Sequence, residues 1–255
     1  MSRRIFIDIE TLPPDEGARD RVAEETAREL IDEGVNADSH ELARIADERF
    51  RDLALRPEHR RILTIGLVVE DGDSVVHQGV LGRDRETGRF HLDEARTLRS
   101  FWSLLKDFSP YRDLLVGHNL LDFDLQFLCK RSVIRRVRPS FDVCFARFRQ
   151  RPVYDTMWEW NHWRKGISLH ELAEALGIES PKVGGLDGGR VYDAYCDGRH
   201  DEIALYCMRD VECAREIYYR LNILEPPPMK KYGADAFIPT PQASDGVPAA
   251  CVAQT

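Results

Sequence analysis

Carboxylates at three separate places in the chain have the types and spacing for chemistry. In IFIDIE, Asp8 and Glu10 share one face of a strand with Phe6, while Ile5, Ile7 and Ile9 share the other. A strand this apolar reads as central, and two acids on it are costly to desolvate unless they pair with cations or reach a cleft. The exposed end of an edge strand would look the same. In VGHNLLDFDLQFL, Asn119, Phe123 and Asp124 stand in the spacing N-x-x-x-F-D at a strand-to-helix junction, where open α/β sheets gather ligands. Asp124 alone also suits a first-turn acid facing the helix dipole, and Asp122 is a rival. In IALYCMRDVECAREI, Tyr206 and Asp210 are four apart, on one helical face at roughly 5–6 Å. A half-buried tyrosine beside a surface acid has that spacing too. Carboxylates are the hard oxygen ligands that Mg²⁺ favours, so the chemistry open to such a set is cation binding.

The elements that must position these residues follow from hydrophobic periodicity. Strands are expected at 4–10, 62–69, 74–81, 113–119 and 152–156, with Asp71-Gly72-Asp73 turning a hairpin. Helices are expected at 93–108, 121–135 and 201–221. SLHELAEALG adds another, opened by a Ser168/Glu171 capping box and closed by Gly177. Residues 13–60 hold 14 acids and 8 bases and read as an acidic helical insertion, with Leu42, Ile45, Ala46, Phe50 and Leu53 near one face. This order predicts an α/β sandwich with a mixed sheet. The expected domain runs over 1–224, followed by a disordered Pro/Ala/Gly-rich tail at 225–255.

Composition closes off other classes. The 255 residues carry a net charge of −8, which argues against coating nucleic acid through overall basicity. ILTIGLVV at 62–69 is too short to span a bilayer, and acids interrupt the N-terminus where a signal peptide would be apolar. Cysteines 129, 144, 196, 207, 213 and 251 form no zinc spacing and read as reduced thiols of a cytoplasmic protein.

In this order, IDIE, N-x-x-x-F-D and Y-x-x-x-D resemble the three motifs of the DEDD exonucleases, in the tyrosine (DEDDy) subtype, since Leu205 stands where the histidine subtype has His. YDTM at 154–157, SLHELAEALGI at 168–178 and the run from Asp187-Gly188 through Val191, Tyr195 and Gly198 to YCMRDV are similar to the predicted exonucleases related to the proofreading domain of family B DNA polymerases. The resemblance covers about residues 4–221. It implies a ribonuclease-H-like three-layer sandwich with a mixed central sheet, the acidic insertion lying outside it.

It further implies 3′–5′ hydrolysis of single-stranded nucleic acid or frayed 3′ ends, DNA before RNA, releasing nucleoside 5′-monophosphates with two divalent cations, Mg²⁺ or Mn²⁺. Asp8, Glu10 and Asp210 would hold one cation, Asp8 and Asp124 the second, and Tyr206 would orient the attacking water. A 3′–5′ exoribonuclease and a non-catalytic binding module, docking a partner through 13–60, are the alternatives. Residues 130–151 hold eight bases against Asp142 alone, so Arg135, Arg136 and Arg138 are candidates for the substrate backbone, with Asn119 and Phe123 beside the acids. A solvated surface explains the same charges. Trp158, Trp160, Trp163, Arg164 and Lys165 interleave rings and cations as a base-stacking platform would, or as core tryptophans do. His118 reads as structural, and Asp155 as either a helix cap or a cleft acid.

Overall fold

Alternating apolar residues build the first strand, β1 (Arg3–Leu12), into the middle of a five-stranded sheet of order β3-β2-β1-β4-β5. The computed structural model of the chain describes residues 2–14, 16–53, 56–164, 166–182 and 185–229. On one side β1 pairs antiparallel with β2 (Arg61–Asp71), which turns at Gly72 into β3 (Ser74–Leu81). On the other it runs parallel to β4 (Leu114–Gly117), itself parallel to β5 (Val153–Asp155). The edge-strand reading of β1 is therefore set aside.

Both faces of β1 are covered. Ile5, Ile7 and Ile9 enter a core with Leu98 and Phe101 of α3 (Glu94–Leu104) and Leu125 and Leu128 of α4 (Asp124–Ile134). Phe6 enters a second core with Val191 and Ala194 of α7 (Val191–Cys196) and Met208 and Val211 of α8 (His200–Leu221). Each isoleucine so buried is worth about 1.5–3 kcal/mol, which holds β1 between two helical layers. Among the described residues no helix is long and apolar enough to cross a membrane.

Between β1 and β2 the chain forms α1 (Glu16–Asp32) and α2 (Ser39–Asp52), which pair through Arg19–Asp47 and Arg49–Glu29. Phe50 of α2 is fully buried and packs edge-on against Tyr192 of α7, while Arg51 forks onto Asp193 at 2.8 and 3.1 Å. The apolar face of α2 is thus turned inward onto the chain's own α7.

Several boundaries differ from those expected. Helix α3 stops at Leu104 rather than 108, since the chain turns at 105–112 to enter β4. Helix α4 begins at Asp124 rather than 121: Asn119 has φ +58°, and the backbone N–H of Phe123 bonds back to the Asn119 carbonyl at 3.0 Å. The short α5 (Thr156–Trp160) and α7 are additions, too brief for periodicity to reveal. Helix α6 (Leu169–Leu176) carries its capping box, with Gly177 left-handed. At the C-terminus Arg215 donates to the Pro227 carbonyl at 2.6 Å and Met229 packs on the second core, so residues 225–229 lie against α8. The rest of the expected tail, 230–255, lies outside the described residues.

Candidate active site

Pairing between β1 and β4 ends at Phe6 and Val116, but β1 runs on to Leu12. The gap beyond the end of β4 is a cleft at the carboxyl edge of the sheet. Asp8 and Glu10 both lie in this overhang, and the register shifts just after Glu10, a local bulge of the kind found beside active sites. Asp124 opens α4 on the far side of the gap. Its Oδ1 accepts the backbone N–H of Ile9 at 3.0 Å, the donor that a longer β4 would have engaged. One carboxylate therefore ties the helix N-terminus to the central strand.

Helix α8 closes the cleft from the second face. It comes close because position 66 is glycine. Gly66 pairs with Asp8 across β1 and β2, and a Cβ there would stand 2.7 Å from Cys207 Sγ and 3.0 Å from Val211 Cγ2. With that space open, Cys207 Sγ sits 3.7 Å from Asp8 Oδ2, and ligand atoms of Asp8, Glu10 and Cys207 all lie within 4.8 Å of one another. Tyr206 and Asp210 project from adjacent turns of α8, and the Tyr206 hydroxyl donates to the Asp210 carboxylate. Asp210 Oδ1 is buried and has no hydrogen-bond partner among the described residues.

Electrostatics registers the convergence. Burial pushes the carboxyl of Asp8 well above its ordinary range, and the charges of Asp210, Asp124 and Glu10 push it further. Glu10 rises through burial, then Asp210 and Asp124. Asp124 rises mainly through burial, against its backbone hydrogen bonds. Asp210 is raised to about 7 by burial, with the Tyr206 hydrogen bond opposing. Four acids held this close cannot all be ionised unless cations offset their charge; otherwise some of them keep their protons. Hard oxygens, a buried orphan oxygen and mutual repulsion together suit divalent cations. Tyr206 is held far above the ordinary phenol range, first by burial and then by the acids around it, and is a neutral hydroxyl donor.

The loop leading to Asp124 is fixed by Asp155. Its carboxylate accepts from the backbone N–H groups of Asn119, Leu121 and Met157 at 3.0, 2.9 and 3.1 Å, capping α5 and clamping the junction together. It is the cap of the two expected alternatives. His118 is held between the Thr156 hydroxyl (3.0 Å) and the Ile167 carbonyl (2.9 Å), and burial lowers its pKa to about 4, so it is a neutral structural group. Phe123 leans on Phe127, ring centroids 4.8 Å apart. The rival Asp122 lies outside the acid cluster, bonded by the Trp158 indole N–H at 2.9 Å and paired with Arg147.

The cations expected to serve substrate do not gather here. Arg135 follows the last turn of α4, about 16 Å along the helix from Asp124. There its guanidinium bonds Glu94 at 2.6 Å, and Glu94 also takes Arg131 and the backbone N–H of Ile62. Arg136 and Arg138 line a shallow hollow with Arg99 and Lys106 at that same far end. Much of the 130–151 charge is matched within the chain: Lys130 pairs with Glu58 and Arg147 with Asp122. Periodicity and spacing did not single out Gly66 or Cys207. A glycine inside the apolar run ILTIGLVV was the available signal, since it marks a close approach within a sheet.

Residues 54–227 match a family described as predicted 3′–5′ exonucleases related to the exonuclease domain of PolB. The match takes in Asp124, Tyr206 and Asp210 and starts after β1, so the strand bearing Asp8 and Glu10 precedes it. No curated protein matches the chain.

Proposed function

We propose that this chain, which belongs to the family of predicted 3′–5′ exonucleases related to the exonuclease domain of PolB, hydrolyses single-stranded nucleic acid from its 3′ end, DNA before RNA. The order of its mixed sheet, with helices on both faces, suits a ribonuclease-H-like frame for this chemistry. One observation carries the reading: Asp8, Glu10, Asp124 and Asp210 come from three elements into one cleft, where burial raises the pKa of each and the charges of neighbouring acids add to it for Asp8, Glu10 and Asp124.

Asp8, Glu10 and Asp210 would hold one divalent cation, and Asp8 with Asp124 a second. Such a pair, when bound, activates a water and steadies the leaving 3′-oxygen. The chain's own residues set the geometry. Asp124 is locked to β1 by the Ile9 N–H, so two of the acid-bearing elements cannot drift apart. Asp155 stiffens the loop behind it. Tyr206, a neutral donor over the cleft, positions the attacking water by hydrogen bonding rather than by taking its proton. The products are nucleoside 5′-monophosphates.

The test is a product ladder. The protein is incubated with Mg²⁺ or Mn²⁺ and 5′-labelled single strands of DNA and RNA of matched sequence. Progressive shortening from the 3′ end, stopped by EDTA and reduced to background in Asp8→Ala, is expected. Shortening of RNA in preference to DNA would make it an exoribonuclease. Undiminished degradation by Asp8→Ala would sink the assignment.

A further inference from the structure

Beside the cleft, on the α5 side, lies a cluster of aromatic rings that the hydrolysis does not use. Trp158 of α5 and Trp163 just beyond it lie parallel, 3° between planes and 5.9 Å between centroids. Phe148, from the loop before β5, stands against Trp163 at 5.1 Å, yet 77% of it is exposed. The cluster is fastened to the catalytic end of the molecule. The Trp158 indole bonds Asp122, two residues before Asp124, and α5 is capped by Asp155, which also clamps the junction leading to Asp124. The Arg147 guanidinium covers the Trp158 ring at 5.4 Å and pairs with Asp122, fixing that ring from the other side.

Phe148 and Trp163 both have left-handed backbones, φ +62° and +64°, and His162 between the two tryptophans has φ +49°. Such conformations are uncommon for bulky aromatic residues. At His162 and Trp163 they end α5, the Trp163 N–H bonding back to the Trp158 carbonyl at 3.0 Å; both tryptophans rest on the first core, and of the three rings Phe148 is the one that projects from the surface. A phenylalanine this exposed loses nothing on packing against a flat apolar partner. Unpaired nucleobases offer such a face, whereas bases inside a duplex are covered by their neighbours.

We propose that Phe148, backed by Trp163, forms a stacking platform for the unpaired bases of a strand whose 3′ end lies in the acidic cleft. This rests on the nuclease reading above and adds how its substrate is chosen: by base faces rather than base edges, hence tolerant of sequence and selective for single strands. The overall negative charge of the chain fits this, because stacking needs no broad basic surface.

The experiment titrates the full chain, with Ca²⁺ in place of Mg²⁺, against three fluorescently labelled 12-mers: a mixed-sequence single strand, the same backbone without bases, and a blunt duplex. Fluorescence anisotropy reads binding. The single strand should bind about tenfold or more tighter than the abasic strand or the duplex. Phe148→Ser, a change at an exposed position, should remove most of that difference, and Phe148→Tyr should restore it. A wild-type protein that shortens the strand with Mg²⁺ yet binds the abasic and normal strands equally would overturn the platform and leave the nuclease standing; its exposed Phe148 would then suit a protein partner. Base-dependent binding without any shortening would keep the platform and sink the nuclease. Failure of both would sink both.

Discussion

Tyr206 and Asp155 sit on either side of the acids and act on them in different ways. Tyr206 donates to Asp210 and is kept neutral by burial and by the surrounding carboxylates. Replacing it with phenylalanine removes one hydrogen bond and no volume. Tyr206→Phe should lower kcat about 10- to 100-fold and leave KM nearly unchanged, read from steady-state rates on a single strand. A raised KM at constant kcat would contradict a water-positioning role. Asp155 touches no reacting atom, but its carboxylate satisfies three backbone N–H groups at the junction. Asp155→Ala leaves them unpaired and should cost about 2–4 kcal/mol in urea unfolding, with lower activity through a displaced Asp124. Loss of activity at unchanged stability would instead make Asp155 a direct participant. In the sequence Asp155 could be cap or cleft acid, because its choice depends on N–H groups 34 to 36 residues away.

At the scale of elements, the approach of α8 to β1 and β2 assembles the site. That approach requires the missing side chain at Gly66, since a Cβ there would overlap Cys207 Sγ at 2.7 Å. Gly66→Ala should cost about 1–3 kcal/mol and depress activity by shifting Tyr206 and Asp210, with the sheet signal in circular dichroism retained. Adding Cys207→Ala relieves the closest contact, so the double variant should be more stable than the sum of the two single changes. Strict additivity would show that α8 is not held by this contact. Strand β1 was legible as a strand from its alternation. That it lies in the centre was not, because neighbours in a sheet are chosen by pairing across distance: β2 begins about 50 residues later and β4 about 100 residues later. Arg135 teaches the same lesson. Its charge suggested a phosphate partner, but the fold brings Glu94 to it from 41 residues away.

For the molecule as a whole, the acids make stability depend on pH and on metal. A carboxyl whose pKa is raised in the folded state binds its proton more tightly there than in the unfolded chain. Its contribution is therefore intact below the unfolded value, near 4, and is lost as pH rises through the folded value, about 7 for Asp210. His118, lowered to about 4, works the other way and costs stability only as pH falls below about 6.5. In EDTA, Tm should thus fall between pH 6.5 and 8.5, and Asp210→Asn should flatten the fall. Added Mn²⁺ should raise Tm more at pH 8.5 than at pH 6.5, by binding the ionised set. A metal-free Tm that climbs over this interval would refute the coupled-acid picture.

The sequence by itself determined everything local: the strand alternation that puts Asp8 and Glu10 on one face, the helical spacing that aligns Tyr206 with Asp210, and the Ser168 capping box. Those are properties of neighbours within about four residues, and backbone geometry alone enforces them. The tertiary structure decided which elements meet. It set the end of β4 short of Glu10 and opened the cleft, used Gly66 to seat α8 over Asp8, and matched much of the 130–151 charge with acids from elsewhere. It also gathered rings from two loops beside the catalytic end. Such choices turn on the packing of residues distant in the chain, where many partners compete for each face and charge, and no spacing in the sequence encodes the winner.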